Sequence, residues 1–167
     1  MTVVHVASIA PQNTSSLWDA RARGLLCHQA LALAARSDAW SRVRAEGAAA
    51  AVLPPDLSVV HRSALLTFLV TALGTYALHF RRQGWRFEDA EVVVGGEAAL
   101  DLLWRRGSRW FADEVKSSLT FVPDWAPRAR EQARTQLAAG RRQFGRGFEG
   151  VRVVAIADPP ASFWERP

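Results

Sequence analysis

Apolar residues recur at helical spacing in three stretches of the first half of the chain. This pattern predicts helices over residues 17–35, 40–52 and 57–83. Polar residues suited to capping precede them: Ser16 with Asp19 for the first, Ser37 or Asp38 for the second and Asp56 for the third. Pro54-Pro55 ends the second helix and Gly84 the third, and residues 3–9 form a short strand or an ordered arm.

The second half of the chain has the pattern of a sheet. A strand is predicted over residues 85–94, and Leu-, Trp- and Phe-rich runs on both sides of Gly107-Ser108 predict a hairpin with a two-residue turn. A basic helix over 126–144 and a continuous apolar strand over 151–157, paired parallel to its neighbour, follow. The tail from residue 158 is predicted to be a surface strap.

The hairpin turn has a consequence for three charged residues. If Arg106 faces Arg109, the pairing counts back to place Asp101 opposite Glu114, and Lys116 shares the face of Glu114. Two carboxylates about 5 Å apart across a hairpin repel each other and weaken the sheet. A divalent cation between them would turn this repulsion into a binding site.

Asp101, the hairpin and Glu114-Val115-Lys116 resemble the D…(D/E)xK signature of the restriction-endonuclease-like (PD-(D/E)XK) nucleases. The order of elements over residues 57–157 is also similar to theirs. The resemblance implies an α/β fold with a restriction-endonuclease-like core, a central mixed sheet of about four strands flanked by helices. Residues 56–158 would form this core, 1–55 an extra N-terminal helical region packed on it, and 159–167 a C-terminal tail.

The same resemblance implies a metal-dependent nuclease that hydrolyses DNA phosphodiester bonds. Asp101, Glu114 and the Val115 backbone carbonyl would bind Mg²⁺ or Mn²⁺, and Lys116 would assist the attacking water. A glutamine on the following helix helps to arrange the site in related branches, and Gln132 or Gln136 matches it. RNA as substrate, and a homodimer or a partner subunit, stay open.

One feature departs from the family pattern. Related nucleases often carry an acidic metal ligand on the helix before the sheet, and residues 57–83 contain no acid. A third carboxylate would then come from Glu88, Glu91 or Glu97. The alternative is a catalytically silent module with the same fold, which binds DNA or assembles with a partner protein.

Composition adds support for the role of Lys116. The chain has 20 Arg and one Lys, and that lysine is Lys116. A guanidinium is planar and keeps its proton, so arginine does not replace a compact ammonium beside a reacting group. The retention of a single lysine at this position therefore favours a specific role for it.

The net charge of +5 and the pI near 10.8 favour a polyanionic partner. The predicted basic helix supplies the candidate contacts to a phosphate backbone, Arg128, Arg130, Arg134, Arg141 and Arg142. A single cysteine, Cys27, excludes an internal disulfide and fits the cytoplasm, and the N-terminus lacks a signal-peptide pattern.

Three other interpretations of the sequence have less support. The apolar segment 64–80 is at the short limit for a membrane span and is predicted to be a helix buried on several sides of the core. His5, Trp18, Cys27 and His28 have no ligand spacing, so zinc is not supported and they are predicted to be partly buried residues of the helical region. No G-x-S-x-G elbow occurs, which disfavours a serine hydrolase.

Overall fold

A computed structural model of the chain describes residues 20–117 and 125–167. These residues form four α-helices and five strands: α1 (Ala20–Arg36), α2 (Arg42–Ala51), α3 (Val59–His79), β1 (Arg86–Val94), β2 (Ala98–Arg106), β3 (Arg109–Lys116), α4 (Trp125–Phe144), β4 (Phe148–Ala155) and β5 (Phe163–Glu165). The predicted strand or arm at 3–9, the helix start at Ser16 and Asp19, and the residues His5 and Trp18 lie outside the described residues.

Helix starts differ from the predicted ones. Ser41, rather than Ser37 or Asp38, occupies the N-cap position of α2, because Asp38 has a left-handed φ of 48° and binds Arg81 (2.9 Å) instead. Ser58, rather than Asp56, caps α3, and its hydroxyl accepts the His61 N–H at 3.3 Å. The prediction was therefore right about the helices and wrong about both caps.

The five strands form one mixed sheet in the order β1-β2-β3-β4-β5. The predicted hairpin is confirmed, with Arg106 paired to Arg109, and β4 runs parallel to β3 as predicted. The prediction of a surface strap after residue 158 is wrong, because β5 pairs antiparallel with β4. Hydrogen bonds to β5 satisfy one edge of β4, a strand that is almost wholly buried.

Helices cover both faces of the sheet. The first three pack on one face around Leu102, Trp104 and Phe111, and α4 packs on the other around Leu103 and Ala112. Alternating side chains of β2 and β3 thus point into two separate cores, as the period of two in a strand requires. The structure is an α/β arrangement of a five-stranded mixed sheet between helices, with a helical region at the N-terminal end.

Helix α3 is long and apolar enough to cross a membrane by length and composition, with a mean hydropathy of 1.2 over its best window. Only 28% of that window is buried, so the predicted burial on several sides is wrong in extent. One face, with Leu65, Leu69 and Leu73, packs in the core, and the Tyr76 hydroxyl on that face donates to Asp113 of β3. Among the described residues, α3 is therefore the one helix of this length and hydropathy; it is weakly apolar, is bonded to the sheet and is not a clear membrane span.

Candidate metal-dependent active site

Strands β2 and β3 separate at the predicted acidic pair. Their backbone pairing runs from Arg106 and Arg109 to Leu102 and Asp113, one position short of Asp101 and Glu114. From there the Asp101 side chain, and not the backbone of β2, accepts the Val115 N–H at 2.7 Å. The charged residues of the motif therefore lie where the backbone pairing of the hairpin ends.

Glu114 and Lys116 form the first half of the site. The Lys116 ammonium donates to Glu114 Oε1 at 2.5 Å and to Gln132 Oε1 at 2.9 Å. Glu114 is 2% exposed, and its second carboxylate oxygen accepts from Gln136 Nε2 at 2.5 Å. Both candidate glutamines, one turn apart on α4, therefore reach the motif, Gln132 through the lysine and Gln136 through the glutamate.

Val115 and His28 form the second half. The Val115 carbonyl accepts a hydrogen bond from His28 Nε2 of α1 at 2.9 Å, so this ring nitrogen carries a proton. Gly24, one turn before His28, allows α1 to approach the end of β3, because a Cβ there would lie 3.2 Å from the Ser117 hydroxyl.

Sequence reasoning missed His28, which it treated as a helix residue without a site. The only local signal was a glycine four residues before a histidine on one helix face. That spacing does not tell which strand the face meets.

Glu91 is the one of the three candidate carboxylates that lies beside this site. Its Oε1 is 3.9 Å from His28 Nδ1, while His28 Nε2 is 3.7 Å from Asp101 Oδ2. One ligand atom from each of the three residues lies within 4.8 Å of the others. Glu88 instead lies 3.8 Å from Arg105, and Glu97 binds Arg142 at 2.8 Å.

The backbone of Glu91 is unusual for a residue with a side chain, because its φ is 55°. Non-glycine residues in this left-handed region cost of order 1–3 kcal/mol and persist where the surrounding structure holds them. Such conformations concentrate at functional sites, so the backbone of β1 gives a second reason to include Glu91 in the candidate site.

The spacing of three donor atoms is near that of ligands around a divalent cation. Neighbouring ligand atoms around a six-coordinate ion with bonds of about 2.1 Å lie about 3 Å apart. His28 Nε2 lies 2.9 Å from the Val115 carbonyl oxygen and 3.7 Å from Asp101 Oδ2. Binding of a cation to Nε2 would displace its proton to the other ring nitrogen, next to Glu91. Carboxylate and carbonyl oxygens suit Mg²⁺ and Mn²⁺, and an imidazole tilts the preference toward Mn²⁺.

Electrostatics at the site favour the arrival of positive charge. Burial, and next the negative charge of Glu114, raise the pKa of Asp101 to about 6, although His28, the Val115 N–H and Lys116 act in the opposite direction. Both causes destabilise the charged form of Asp101, and the attraction of a bound cation would offset them.

The raised pKa of Asp101 predicts that Asp101→Asn stabilises the metal-free protein. Because the folded-state pKa lies above the unfolded value, the contribution of Asp101 to stability is complete below pH about 4 and is lost as the pH rises through 6. A rise from 3.8 to about 6 corresponds to on the order of 3 kcal/mol. We expect Asp101→Asn to raise the free energy of unfolding by about 2–3 kcal/mol at pH 7.5 in EDTA.

Urea unfolding of both proteins at pH 4.5, 6 and 7.5 measures this difference. The gap should shrink as the pH falls, because the wild-type carboxyl then becomes neutral like the amide. A gap that is independent of pH, or a variant less stable than the wild type at pH 7.5, would contradict the electrostatic account.

The basic helix is less available than its sequence indicates. Arg130 and Arg134 lie 3.7 and 3.0 Å from Glu165 of β5, and Arg142 binds Glu97. Arg128 and Arg141 are exposed, and no carboxylate of the described residues lies within ion-pair distance of them. Two of the five predicted phosphate contacts are thus without an acidic partner in residues 20–117 and 125–167.

A second buried acid, Asp113, lies outside the candidate site. It is fully buried and accepts two hydrogen bonds from Arg152, at 2.7 and 2.8 Å, one from Trp104 Nε1 at 2.9 Å and one from the Tyr76 hydroxyl. Asp113 and Glu114 are adjacent in β3 and therefore point to opposite faces. All four donors belong to the core around α3, which gives Asp113 a structural role.

Comparison with protein-family models, with curated proteins and with solved structures gives no match to this chain. A functional assignment therefore depends on the residues and the geometry of the site described above.

Proposed function

We propose that this protein is a metal-dependent nuclease that hydrolyses phosphodiester bonds of DNA, with Mg²⁺ or Mn²⁺ as its cofactor. The observation that carries the proposal is the convergence of Asp101, Glu114 and Lys116 with the Val115 carbonyl where β2 and β3 separate. The restriction-endonuclease-like identity of the fold is part of the same proposal. So are a cytoplasmic location and a homodimer or partner subunit that would allow both strands to be cut.

Asp101, Glu114, the Val115 carbonyl and His28 are the groups that would hold the cation. When bound, the cation supplies a water of lowered pKa and neutralises charge on the phosphate. Asp101 is kept in position by the Val115 N–H, and Glu114 by Gln136, so neither carboxylate must be ordered when the substrate arrives. The site is thus organised before binding, which favours catalysis.

Lys116 is the group that would act on the reacting atoms. Glu114 and Gln132 hold its ammonium, which keeps the positive charge beside the carboxylate of the site. An ammonium there donates a hydrogen bond to the attacking water or to a phosphate oxygen as negative charge develops on it. Gln132 is a positioning residue in this account, because its contact is with the lysine.

A cleavage assay tests the proposal. Purified protein is incubated with supercoiled plasmid, linear duplex, single-stranded and branched DNA, and RNA, with Mg²⁺, Mn²⁺ or EDTA. We expect cutting of at least one substrate that requires the cation and is faster with Mn²⁺ than with Mg²⁺, because the donor set includes an imidazole. Cutting that persists in EDTA would contradict a metal-dependent reaction.

The second candidate function is a silent DNA-binding or assembly module of the same fold. Two observations favour it: residues 57–83 supply no acid, and both carboxylate oxygens of Glu114 already accept hydrogen bonds from within the chain. Such a module does not need to bind a divalent cation, so metal binding separates the two functions.

We predict that calorimetry detects one strong Mn²⁺ site per chain and that His28→Ala weakens it at least about 10–100-fold, because loss of a ligand should cost no less than the typical loss of a residue that only supports a ligand. His61→Ala serves as the matched control, because His61 lies at the start of α3 and contacts Ser58. Wild-type protein without heat of Mn²⁺ binding would favour the silent module, and equal binding by both variants would remove His28 from the ligand set.

A further inference from the structure

Three arginines gather at the turn end of the β2–β3 hairpin, away from the candidate active site. Arg82 follows α3, Arg106 ends β2 and Arg166 follows β5, and all three are exposed. We refer to these three residues as the hairpin-end cluster. In the part of the chain that the structure describes, none of them has a carboxylate within ion-pair distance, in contrast to Arg130, Arg134 and Arg142 of α4.

Aromatic rings hold the guanidinium groups of this cluster. The guanidinium of Arg82 lies 5.3 Å from the centre of the Trp85 ring, 5.4 Å from that of Phe111 and 5.5 Å from that of Trp164. Arg106 lies 5.2 Å from Trp85, and Arg166 lies 5.1 Å from Trp164. Stacking uses the face of a guanidinium and leaves its N–H edges for an acceptor, so these side chains are ordered in advance for an anion.

The cluster also concentrates positive charge. Burial, and next the charge of Arg152, lower the pKa of Arg82, and Arg106 and Arg166 act in the same direction. Glu149 opposes them, but its carboxylate is bound to Arg109. Asp113 neutralises Arg152, whereas no carboxylate of residues 20–117 and 125–167 pairs directly with the three cluster arginines. A bound anion would relieve this repulsion.

A pocket of about 450 Å³ adjoins the cluster. Its lining contains Arg86, Arg105, Arg106 and Glu88 together with two glycines, Gly84 and Gly107. Arg105 lies 3.8 Å from Glu88, which leaves Arg86 and Arg106 as the positive groups of the lining. The cationic surface therefore extends from the cluster across the hairpin end and does not converge on one point. An extended surface suits a chain of phosphates, whereas a single small anion would need cations that converge.

We propose that the hairpin-end cluster is a second contact surface for the phosphate backbone of a nucleic acid, independent of base sequence. The fork of an arginine matches two phosphate oxygens, and all the cations here are arginines. The identity of the polyanion rests on the proposed nuclease function. Arg106 lies five residues along β2 from Asp101, about 17 Å at 3.3 Å per residue, so the cluster positions the substrate and does not touch the scissile phosphate.

Binding in EDTA tests this surface without any cleavage. Fluorescence anisotropy with a 30-base-pair duplex and a 30-nucleotide single strand is measured from 50 to 300 mM KCl. We expect Arg106→Gln to weaken binding about 3–10-fold at 50 mM and to reduce the slope of log K against log salt by about 0.9 for duplex. Arg82→Gln/Arg106→Gln/Arg166→Gln should reduce that slope by two or more.

Arg44→Gln is the matched control, because Arg44 is exposed on α2 and its loss removes the same charge. The proposal would be overturned if Arg106→Gln and Arg166→Gln had the same DNA affinity and the same salt slope as Arg44→Gln. A surface that binds an acidic protein instead of a nucleic acid would give this result. If the triple variant is unfolded at the assay temperature, the two single variants are sufficient for the comparison. If the cluster variants weaken DNA binding as expected but the wild-type protein cuts no substrate, the nuclease function is contradicted and the contact surface is not.

Discussion

Lys116→Ala is expected to lower DNA cleavage at least about 10²–10³-fold at saturating Mn²⁺, the loss typical of removing one charge-stabilising donor. The lysine is the cation that Glu114 and Gln132 hold at the site, and alanine leaves no donor there. The loss should appear in kcat more than in KM, because the contact strengthens as negative charge develops. Single-turnover cleavage of a labelled substrate measures it.

Lys116→Arg provides the stricter version of this experiment. It keeps the charge, but a planar guanidinium does not replace a compact ammonium in the space between a carboxylate and an amide oxygen. We therefore expect most of the activity to be lost in this variant too. Cleavage by Lys116→Arg at nearly the wild-type rate would mean that only positive charge matters at this position and that the site does not need a lysine.

Loss of folding must be separated from loss of chemistry in both variants. Without the ammonium, Glu114 becomes a buried carboxylate whose side chain keeps one hydrogen-bond donor among the described residues, Gln136. The metal-free Lys116→Ala protein should therefore melt at a lower temperature. Addition of Mn²⁺ should recover most of that loss. Wild-type cleavage rates in a folded Lys116→Ala protein would remove the lysine from the mechanism.

Asp113→Ala is expected to cost about 3–5 kcal/mol in the free energy of unfolding, the largest stability loss of the variants considered. The change leaves the buried guanidinium of Arg152 without its carboxylate and the Trp104 and Tyr76 donors without an acceptor. Burial, and next the Asp113 charge, raise the pKa of Tyr76 well above its usual value, so in the wild-type protein this hydroxyl stays protonated and donates to Asp113. Urea unfolding measures the loss.

Two further variants show that the loss comes from burial of the pair. Arg81→Ala removes the exposed ion pair with Asp38 and should cost less than about 1 kcal/mol. Asp113→Leu/Arg152→Met replaces the whole buried pair by apolar side chains and should recover much of the stability, since it leaves no uncompensated charge. A loss below 1 kcal/mol for Asp113→Ala would contradict the role of this carboxylate in holding α3 to the sheet.

The local parts of the fold could be predicted from the chain alone. A two-residue turn sets the pairing of its strands, so Gly107-Ser108 determined that Arg106 faces Arg109 and which residues share a face. The same count brought Asp101, Glu114 and Lys116 to one end of the hairpin. Helical spacing likewise located α1 to α4, because the period of apolar residues depends only on near neighbours.

Other features depend on contacts between distant segments and have no local signal. His28 meets Val115 across 87 residues, and Arg152 meets Asp113 across 39. Two further features are of the same kind: the pairing of the α4 arginines with Glu165 and Glu97, and the fifth strand in a tail with three prolines.

Sequence therefore determined the hairpin and the charged motif of this protein, whose geometry follows from turn length and strand period. Only the tertiary structure decided that His28 and Glu91 join the motif, that Asp113 belongs to the core and that Arg82, Arg106 and Arg166 lie together. The physical reason is that side-chain periodicity encodes which face a residue occupies, while the partner of that face is chosen by the packing of the whole chain.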